Sequence, residues 1–217
     1  MRRRLVFADR VEAGRRLGEQ LAAMELARPL VLALPRGGVP VGAEIARILR
    51  APLDVTLVRK IGAPHEPELA VGAVAEGPSP EIVVNDEVAR PLGLSDDFIA
   101  SEAAREFAVI AQRRSEYAAW RPAYEIADRT AIVVDDGVAT GMTMQAALRS
   151  VRRRQPAKLI AAVPVASREA LAMLRREADD VVCLNSPGSF GSVGSFYRDF
   201  EQVSDAEVVE LLKQRRG

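Results

Sequence analysis

The sequence contains few of the residues that form disulfide bonds or structural metal sites. It contains one cysteine, Cys183, and one histidine among 217 residues, so it has neither a disulfide framework nor the ligand spacing of a zinc site. Basic and acidic residues number 30 each, and this balance argues against a surface dedicated to nucleic acid or anionic membrane. No apolar run is long enough for a membrane span, and the N-terminus does not read as a signal peptide. We therefore expect a cytoplasmic protein that binds neither nucleic acid nor membrane.

The residues that are abundant predict a layered α/β fold in one domain, 1–217. Apolar residues make up 48% of the chain, which is enough for a sizeable core. Short apolar runs that suit buried strands alternate with segments of helical spacing, and they lie at 30–34, 55–58, 69–75, 131–134, 159–165 and 181–184. Such alternation predicts a Rossmann-like parallel sheet with helices on both faces and ligands at the carboxyl ends of its strands.

Three predicted helices have sequence patterns that mark where they begin or that set them apart from the other helices. Asp9 and Glu12 form a capping pattern before the first helix, and Ser204 and Glu207 form one before the last. Residues 95–122 interrupt the alternation with a long helical pattern of charged and small residues. This segment is either an insertion that packs against the core or a dimer contact, and we expect a homodimer.

The most informative stretch is 132–143, Ile-Val-Val-Asp-Asp-Gly-Val-Ala-Thr-Gly-Met-Thr. A predicted strand runs into Asp135 and Asp136 and then through two glycines into a predicted helix, whose first N–H groups can bind an anion. The hydroxyls of Thr140 and Thr143 can add hydrogen bonds to phosphate oxygens. Carboxylates beside a phosphate loop indicate a ligand that carries hydroxyls or a metal near its phosphate, such as a ribose 5-phosphate. The pattern is neither a P-loop nor a dinucleotide fingerprint, and the simplest alternative is an ordinary turn with Asp as N-cap.

Residues 133–143 resemble the diphosphoribosyl-binding signature of the type I phosphoribosyltransferases. The resemblance implies the fold of that family, with a small C-terminal hood, and it implies that the two acids bind the ribose 2′- and 3′-hydroxyls while the loop amides hold the 5′-phosphate. The residues assigned in this way to phosphoribosyl diphosphate are Asp135, Asp136, Gly137, Val138, Ala139, Thr140, Gly141, Met142 and Thr143. Ala139 departs from the transferases for 6-oxopurines, which carry Asp at this position, so the resemblance favours a different acceptor.

A second loop fits the same interpretation. Residues 32–41, Leu-Ala-Leu-Pro-Arg-Gly-Gly-Val-Pro-Val, read as an apolar run, a glycine turn and the start of a helix. They resemble the diphosphate loop of the family, which implies that Arg36 is the cation and that the amides of Gly37 and Gly38 are donors. Taken alone, the segment could be only a tight turn.

A third segment supplies further cations. Residues 54–60 read as a buried strand that ends in Arg59 and Lys60, and a Gly- and Pro-rich stretch follows. Family members carry a mobile loop at this position, so the resemblance implies that Arg59 and Lys60 neutralise the leaving diphosphate. His65 could assist, or it could be an exposed loop residue.

The predicted hood covers 185–203, a Gly- and Ser-rich stretch with several aromatic residues. Linkers of this composition are rarely aromatic, and the segment resembles the variable hood that covers the acceptor base in the family. Phe196 and Tyr197 could stack on a planar acceptor, or they could anchor the loop to the core.

Together these resemblances imply transfer of ribose 5-phosphate from 5-phosphoribosyl 1-diphosphate to a nitrogen acceptor such as a nucleobase, with diphosphate released. The catalytic residues would be Arg36, Lys60, Asp135 and Asp136. Mg²⁺ would be bound mainly through substrate oxygens, with the two acids contributing through water. The alternative is a non-catalytic regulator of the same fold that senses phosphoribosyl diphosphate.

Overall fold

The computed structural model describes residues 6–77, 80–118 and 124–214. Five strands form the central sheet: β1 Leu30–Ala33, β2 Leu53–Val55, β6 Thr130–Val134, β7 Lys158–Val165 and β8 Asp180–Asn185. Their order across the sheet is β2-β1-β6-β7-β8, and each neighbouring pair is parallel. The predicted parallel α/β sheet is therefore confirmed.

Helices cover both faces of this sheet because successive side chains of a strand point to opposite sides. The helices around the sheet are α1 Arg10–Ala22, α2 Gly38–Leu49, α5 Met142–Arg153 and α6 Arg168–Glu177. On β1, Val31 and Ala33 pack in the same cluster as α1 and α2. Leu30 and Leu32 pack in the cluster that contains α5 and α6. The alternation within one strand thus separates the core into two layers.

The predicted helix caps are present at both ends of the chain. The side chain of Asp9 accepts a hydrogen bond from the backbone N of Glu12 at 2.7 Å, which satisfies a free donor in the first turn of α1. The last helix, α7, spans Asp205–Gln214 and packs on α2. Before it, the hydroxyl of Ser204 accepts from the backbone N of Glu207 at 3.2 Å.

Three more strands form a separate antiparallel sheet in the order β3-β4-β5: β3 Val58–Ala63, β4 Glu66–Ala75 and β5 Glu81–Val84. The prediction of one strand through 54–60 is therefore wrong, because this stretch is divided between β2 and β3. The backbone N of Thr56 still donates to the carbonyl of Ala33 at 3.0 Å. The next backbone N, that of Leu57, donates instead to the side chain of Glu76 at 2.8 Å, and the chain leaves the parallel sheet here.

The strand predicted at 69–75 lies within antiparallel β4 and not in the parallel sheet. A period-two pattern predicts a strand but not the direction of its partner, so the sequence could not separate the two sheets. The tight connection from β3 to β4 places His65 at an exposed turn with φ 66°. Ile61 and Val74 from this second sheet join the same hydrophobic cluster as β1, so both sheets share one core.

The segment 95–122 forms helix α4, Asp96–Ala118, which follows the short helix α3, Asp86–Ala89. Residues 119–122 lie outside the described part of the chain. The buried side chains of α4 belong to the main core: Ile99, Ala103, Ile110 and Tyr117. Arg114 pairs with Glu76 and donates to the carbonyl of Val55 at 3.0 Å. The helix therefore packs against the core, and the homodimer stays a prediction. None of the described helices is long and apolar enough to cross a membrane.

The predicted hood segment, 185–203, contains a short 3₁₀ helix at Val193–Phe196. The chain after this helix pairs with the N-terminus. The backbone N of Phe7 donates to the carbonyl of Phe196 at 2.8 Å, and the backbone N of Arg198 donates to the carbonyl of Phe7 at 2.9 Å. Both ends of the chain therefore contribute to this part of the molecule.

Candidate active site

The acid pair lies where β6 ends, in the middle of the parallel sheet. The carboxylate of Asp135 accepts a hydrogen bond from the backbone N of Asp136 at 2.9 Å. Burial, together with the Asp136 charge, raises the pKa of Asp135 well above its usual range. Burial also raises the pKa of Asp136, against the opposing effect of Arg10. Two carboxylates that are buried from solvent need polar ligand groups or cations beside them to stay ionised.

Arg10 supplies such a cation, and the sequence analysis did not identify it. Its Nε lies 2.8 Å from Oδ2 of Asp136, and both side chains are largely buried. A second nitrogen of the guanidinium donates to the carbonyl of Glu201 at 2.7 Å, and the group lies 3.9 Å from the ring centroid of Phe200. Arg10 is the first residue of α1, so the start of this helix and the end of the hood segment meet at the acid pair. No local motif marks this contact, because the two charges are 126 residues apart.

The predicted diphosphate loop packs directly on the acids. The backbone N of Leu34 donates to the carbonyl of Val134 at 2.8 Å, which ties the end of β1 to the end of β6. A Cβ on Gly37 would lie 2.0 Å from the carboxylate of Asp136, and a Cβ on Gly38 would lie 2.7 Å from the carbonyl of Val134. Only glycine allows so close an approach. The structure thus brings the loop of residues 36–38 and the acid pair together.

Arg36 stands beside this loop, after a cis Pro35–Arg36 peptide bond. Its guanidinium lies 3.6 Å from the carboxylate of Asp205, the first residue of α7. The other oxygen of that carboxylate accepts from the hydroxyl of Tyr117 at 2.8 Å. The side chain of Arg36 is 31% exposed, so a ligand can reach it. Asp205 and Tyr117 were not predicted, since they come from helices distant in sequence.

The predicted phosphate loop follows the acids and leads into α5. The backbone N of Val138 donates to the carbonyl of Val165 at 2.8 Å, and the hydroxyl of Ser167 donates to the carbonyl of Ala139 at 2.7 Å. Gly141 has φ +91°, a conformation that L side chains rarely adopt, and caps the helix. Ala139 and Thr140 are exposed, whereas the side chain of Met142 packs in the core. The loop therefore exposes Ala139 and Thr140 to solvent, whereas the Val138 N–H is already bonded within the protein.

Ser167 is a second residue that the sequence analysis missed. Its hydroxyl also accepts from the backbone N of Ala170 at 3.0 Å, so it caps helix α6 while it holds the phosphate loop. A serine three residues before Ala170, with Glu169 in the first turn, is a recognisable cap signal and could have been found.

The predicted cations Arg59 and Lys60 both lie on β3, in the antiparallel sheet. Nε of Arg59 is 2.6 Å from the carboxylate of Glu106 on α4, so this guanidinium is paired with the long helix. The strand that carries them does not end at the edge of the parallel sheet where the two loops lie. Their role, and that of His65, in neutralising diphosphate stays a prediction.

The prediction that Phe196 and Tyr197 stack on an acceptor is wrong for this structure. Phe196 is fully buried and Tyr197 is 6% exposed. The Tyr197 ring lies between Phe7 and Phe200, at centroid distances of 5.5 and 5.0 Å, and its hydroxyl donates to the backbone carbonyl of Asp136. Burial raises the pKa of this hydroxyl, which keeps it a donor. These rings therefore anchor the hood segment, since both belong to one buried cluster with Phe7 and Val165.

A polar cleft of about 960 Å³ lies between the hood loop and the start of α6, lined by Arg168 and by residues 184–189, 191, 192 and 195. A second cavity of about 520 Å³ shares Arg168 with it and is also lined by Ala139 and Thr140 of the phosphate loop. The two cavities are neighbours, because Pro187, Gly188 and Gly191 also line both of them. Within the described residues, no group of three or more His, Cys, Asp or Glu side chains could hold a metal ion by itself.

Comparison with known proteins agrees with this arrangement. The model of the family described as phosphoribosyl transferase domain matches residues 9–201. Two strain versions of a Mycobacterium tuberculosis protein, whose name assigns it provisionally to the phosphoribosyl transferases, are 44% identical over 209 residues. That match covers 95% of this chain and 46% of theirs, so the chain spans about half the length of these relatives.

Among solved structures, TT1426 from Thermus thermophilus is 44% identical, covers 98% of this chain and 100% of its own, and has a TM-score of 0.83. A hypothetical protein from Neisseria gonorrhoeae with bound ppGpp is 12% identical with a TM-score of 0.52; it covers 97% of this chain and 95% of its own, and it shares the fold. With the family match over most of its length, this chain belongs to the phosphoribosyl transferase domain family.

Proposed function

We propose that the protein transfers ribose 5-phosphate from 5-phosphoribosyl 1-diphosphate to a nitrogen acceptor, such as a nucleobase. The observation that carries the proposal is the meeting of two glycine loops at one acid pair, at the carboxyl ends of β1 and β6. Phosphate-binding amides, vicinal carboxylates and the Arg36 cation match the three parts of this substrate. They match its 5′-phosphate, its ribose hydroxyls and its diphosphate.

In the proposed reaction, the bond between ribose C1 and the diphosphate oxygen breaks, and its electron pair leaves with diphosphate. The acceptor nitrogen forms the new bond to C1 with inversion, and its proton passes to solvent. Arg36 and the amide of Gly37 stabilise the charge that develops on diphosphate. The Gly38 amide, which the resemblance also assigned to diphosphate, donates instead to the carbonyl of Leu34 at 3.0 Å. Asp135 and Asp136 hold the ribose hydroxyls, so that C1 faces the acceptor. Water must be excluded during this step, since it would hydrolyse the activated ribose.

Mg²⁺ fits this site as an ion held mainly by substrate. It prefers oxygen ligands and binds through one or two carboxylates together with phosphates. Asp135 and Asp136 offer such oxygens, directly or through water, and burial makes a cation beside them favourable. When bound, the ion would neutralise diphosphate charge.

The test is calorimetry with phosphoribosyl diphosphate and Mg²⁺ on the double variant Asp135→Asn/Asp136→Asn. We expect binding weaker by about 2–5 kcal/mol, since each lost hydrogen-bonded group contributes about 1–3 kcal/mol. Asp86→Asn, at an exposed ion pair on α3, is the control and should bind normally. Thermal melts of both variants verify folding, and unchanged affinity in the double variant would refute the assignment.

An assay of diphosphate release then distinguishes an enzyme from a non-catalytic sensor. The enzyme releases diphosphate when an acceptor is added, whereas a regulator that senses phosphoribosyl diphosphate binds it without release. Binding that depends on Asp135 and Asp136, with no release for any acceptor tested, would favour the sensor.

A further inference from the structure

Two helices that are distant in sequence meet at Arg36, the cation assigned to diphosphate. Asp205, the first residue of α7, places Oδ2 of its carboxylate 3.6 Å from a terminal nitrogen of Arg36. Oδ1 of the same carboxylate accepts a hydrogen bond at 2.8 Å from the hydroxyl of Tyr117, which lies in the last turn of α4. These contacts form a chain that runs from α4 through α7 to the diphosphate loop.

Packing fixes both of the residues that lead to Arg36. The side chain of Tyr117 is buried in the main core. Burial, together with the hydrogen bond to Asp205, raises the pKa of the Tyr117 hydroxyl, which therefore stays a donor. Helix α7 packs on α2 and buries Val208 in the same core, so the position of Asp205 is set by the helix. Helix α2 itself begins at Gly38, two residues after Arg36.

The guanidinium of Arg36 keeps its hydrogen-bond donors available in this arrangement. A separation of 3.6 Å is too long for a hydrogen bond, so the carboxylate of Asp205 attracts the guanidinium without taking up a donor. Among the described residues, the side chain of Arg36 has no hydrogen-bond partner. A guanidinium has five N–H donors in a planar fork, and this fork matches phosphate oxygens. Arg36 is therefore oriented and still able to bind an anion.

An arginine at the start of a glycine loop benefits from such a restraint. Its long side chain has many rotamers, and this freedom is lost when the guanidinium binds a ligand. Asp136 is a competing anion close by, because its carboxylate lies against Gly37, the residue after Arg36. A guanidinium that is paired with Asp205 is already restricted, and it is not paired with the acid that the ribose needs.

We propose that Asp205 and Tyr117 are positioning residues, which hold the guanidinium of Arg36 where it meets the diphosphate of phosphoribosyl diphosphate. The proposal rests on the phosphoribosyl transfer proposed above and adds two residues to its diphosphate site. It also gives a role to the long helix α4 and to the C-terminal helix α7. Together they orient the cation of a loop that belongs to neither helix.

The test is calorimetry of the full chain with phosphoribosyl diphosphate and Mg²⁺, and in parallel with ribose 5-phosphate, which lacks the diphosphate. Asp205→Asn removes the negative charge but keeps an acceptor for the Tyr117 hydroxyl. Removing a negative charge near a phosphate site should by itself strengthen anion binding. A positioning role predicts the opposite sign. Phosphoribosyl diphosphate should bind about 2- to 5-fold more weakly, the range that a partly exposed ion pair supports, and ribose 5-phosphate should bind unchanged.

Further variants separate positioning from a structural role. Glu210→Gln is the matched control, because it removes one negative charge from an exposed position of the same helix and should weaken the binding of neither ligand. Tyr117→Phe removes only the hydroxyl that fixes the carboxylate, and it should weaken phosphoribosyl diphosphate selectively. In an Arg36→Ala background, neither Asp205→Asn nor Tyr117→Phe should have a further effect. A residue that only stabilises the fold would lower the melting temperature and weaken both ligands in either background.

The positioning role and the proposed function fail in different ways. Tighter binding of phosphoribosyl diphosphate by Asp205→Asn would overturn the positioning role, since Asp205 would then compete with diphosphate. Equal losses for the two ligands, or a loss that persists without Arg36, would also overturn it. Binding that needs the acid pair but not Asp205 refutes the positioning role alone. If phosphoribosyl diphosphate does not bind, or binds without dependence on the acid pair, the proposed function is refuted and the positioning role with it.

Discussion

Replacing Arg10 with alanine would remove the cation that pairs with Asp136 inside the molecule. The two side chains are 11% and 14% exposed, so the remaining carboxylate would be largely buried without its partner. Breaking a buried pair in this way typically costs about 3–5 kcal/mol. Asp136 can take up a proton instead, which limits the loss, and we expect about 2–4 kcal/mol of unfolding free energy to be lost at pH 8.

The loss should depend on pH in a defined direction. Burial already raises the pKa of Asp136 and Arg10 opposes this, so the pKa rises further in Arg10→Ala. An acid whose pKa is higher in the folded state binds its proton more tightly there. Its stabilising contribution is present below the unfolded pKa and is lost as pH rises through the folded value. The variant should therefore lose stability increasingly from about pH 4 upward.

The assay is urea unfolding of the unmodified chain and of Arg10→Ala at pH 5 and pH 8. Arg15→Ala is the control, because Arg15 forms an exposed pair with Glu19 on the same helix and should change stability by less than about 1 kcal/mol. In a double-mutant cycle, Asp136→Asn should recover part of the loss. An equal loss at both pH values, or no coupling to Asp136, would refute the reasoning.

Three further predictions follow from other contacts. Arg36→Ala should weaken binding of phosphoribosyl diphosphate more than that of ribose 5-phosphate in calorimetry, since its cation is assigned to the diphosphate; equal losses would make it structural. Ser167→Ala should lower unfolding free energy by about 1–2 kcal/mol in urea melts and weaken phosphate binding, because one hydroxyl caps α6 and holds Ala139. Phe196→Ala should cost about 3–5 kcal/mol of stability, with no selective rise in acceptor KM, because the ring is fully buried; a selective rise would restore the stacking hypothesis.

The sequence by itself determined those elements of the structure that depend only on residues close together in the chain. Residues 132–143 contain a strand, the two acids, a glycine loop and a helix start in one continuous segment. The residue types of this segment therefore predict its local conformation. The caps at Asp9 and Ser204 are local in the same sense, and both were predicted. The parallel sheet followed from the alternation of strand and helix patterns along the whole chain.

The division into two sheets could not be read in this way. Apolar alternation in 54–60 is compatible with either sheet, and the side chain of Glu76 decides where the chain leaves the first one. The partner of β3 is β4, and only the turn geometry at His65 and the packing of both strands under α4 and α5 fix their antiparallel pairing. Pairing direction is a property of two segments and their surroundings, not of one pattern.

The burial of the acid pair and its pairing with Arg10 are decided by the tertiary structure. Asp136 is recognisable from its motif, but its partner Arg10 begins a helix 126 residues earlier. Phe196 and Tyr197 looked available in a Gly- and Ser-rich loop, and pairing with Phe7 buries them. Local sequence specifies which groups can bind, because conformational preference and charge are properties of each residue. Which of those groups stay free for a ligand depends on what packs against them, and that is decided only when distant segments meet.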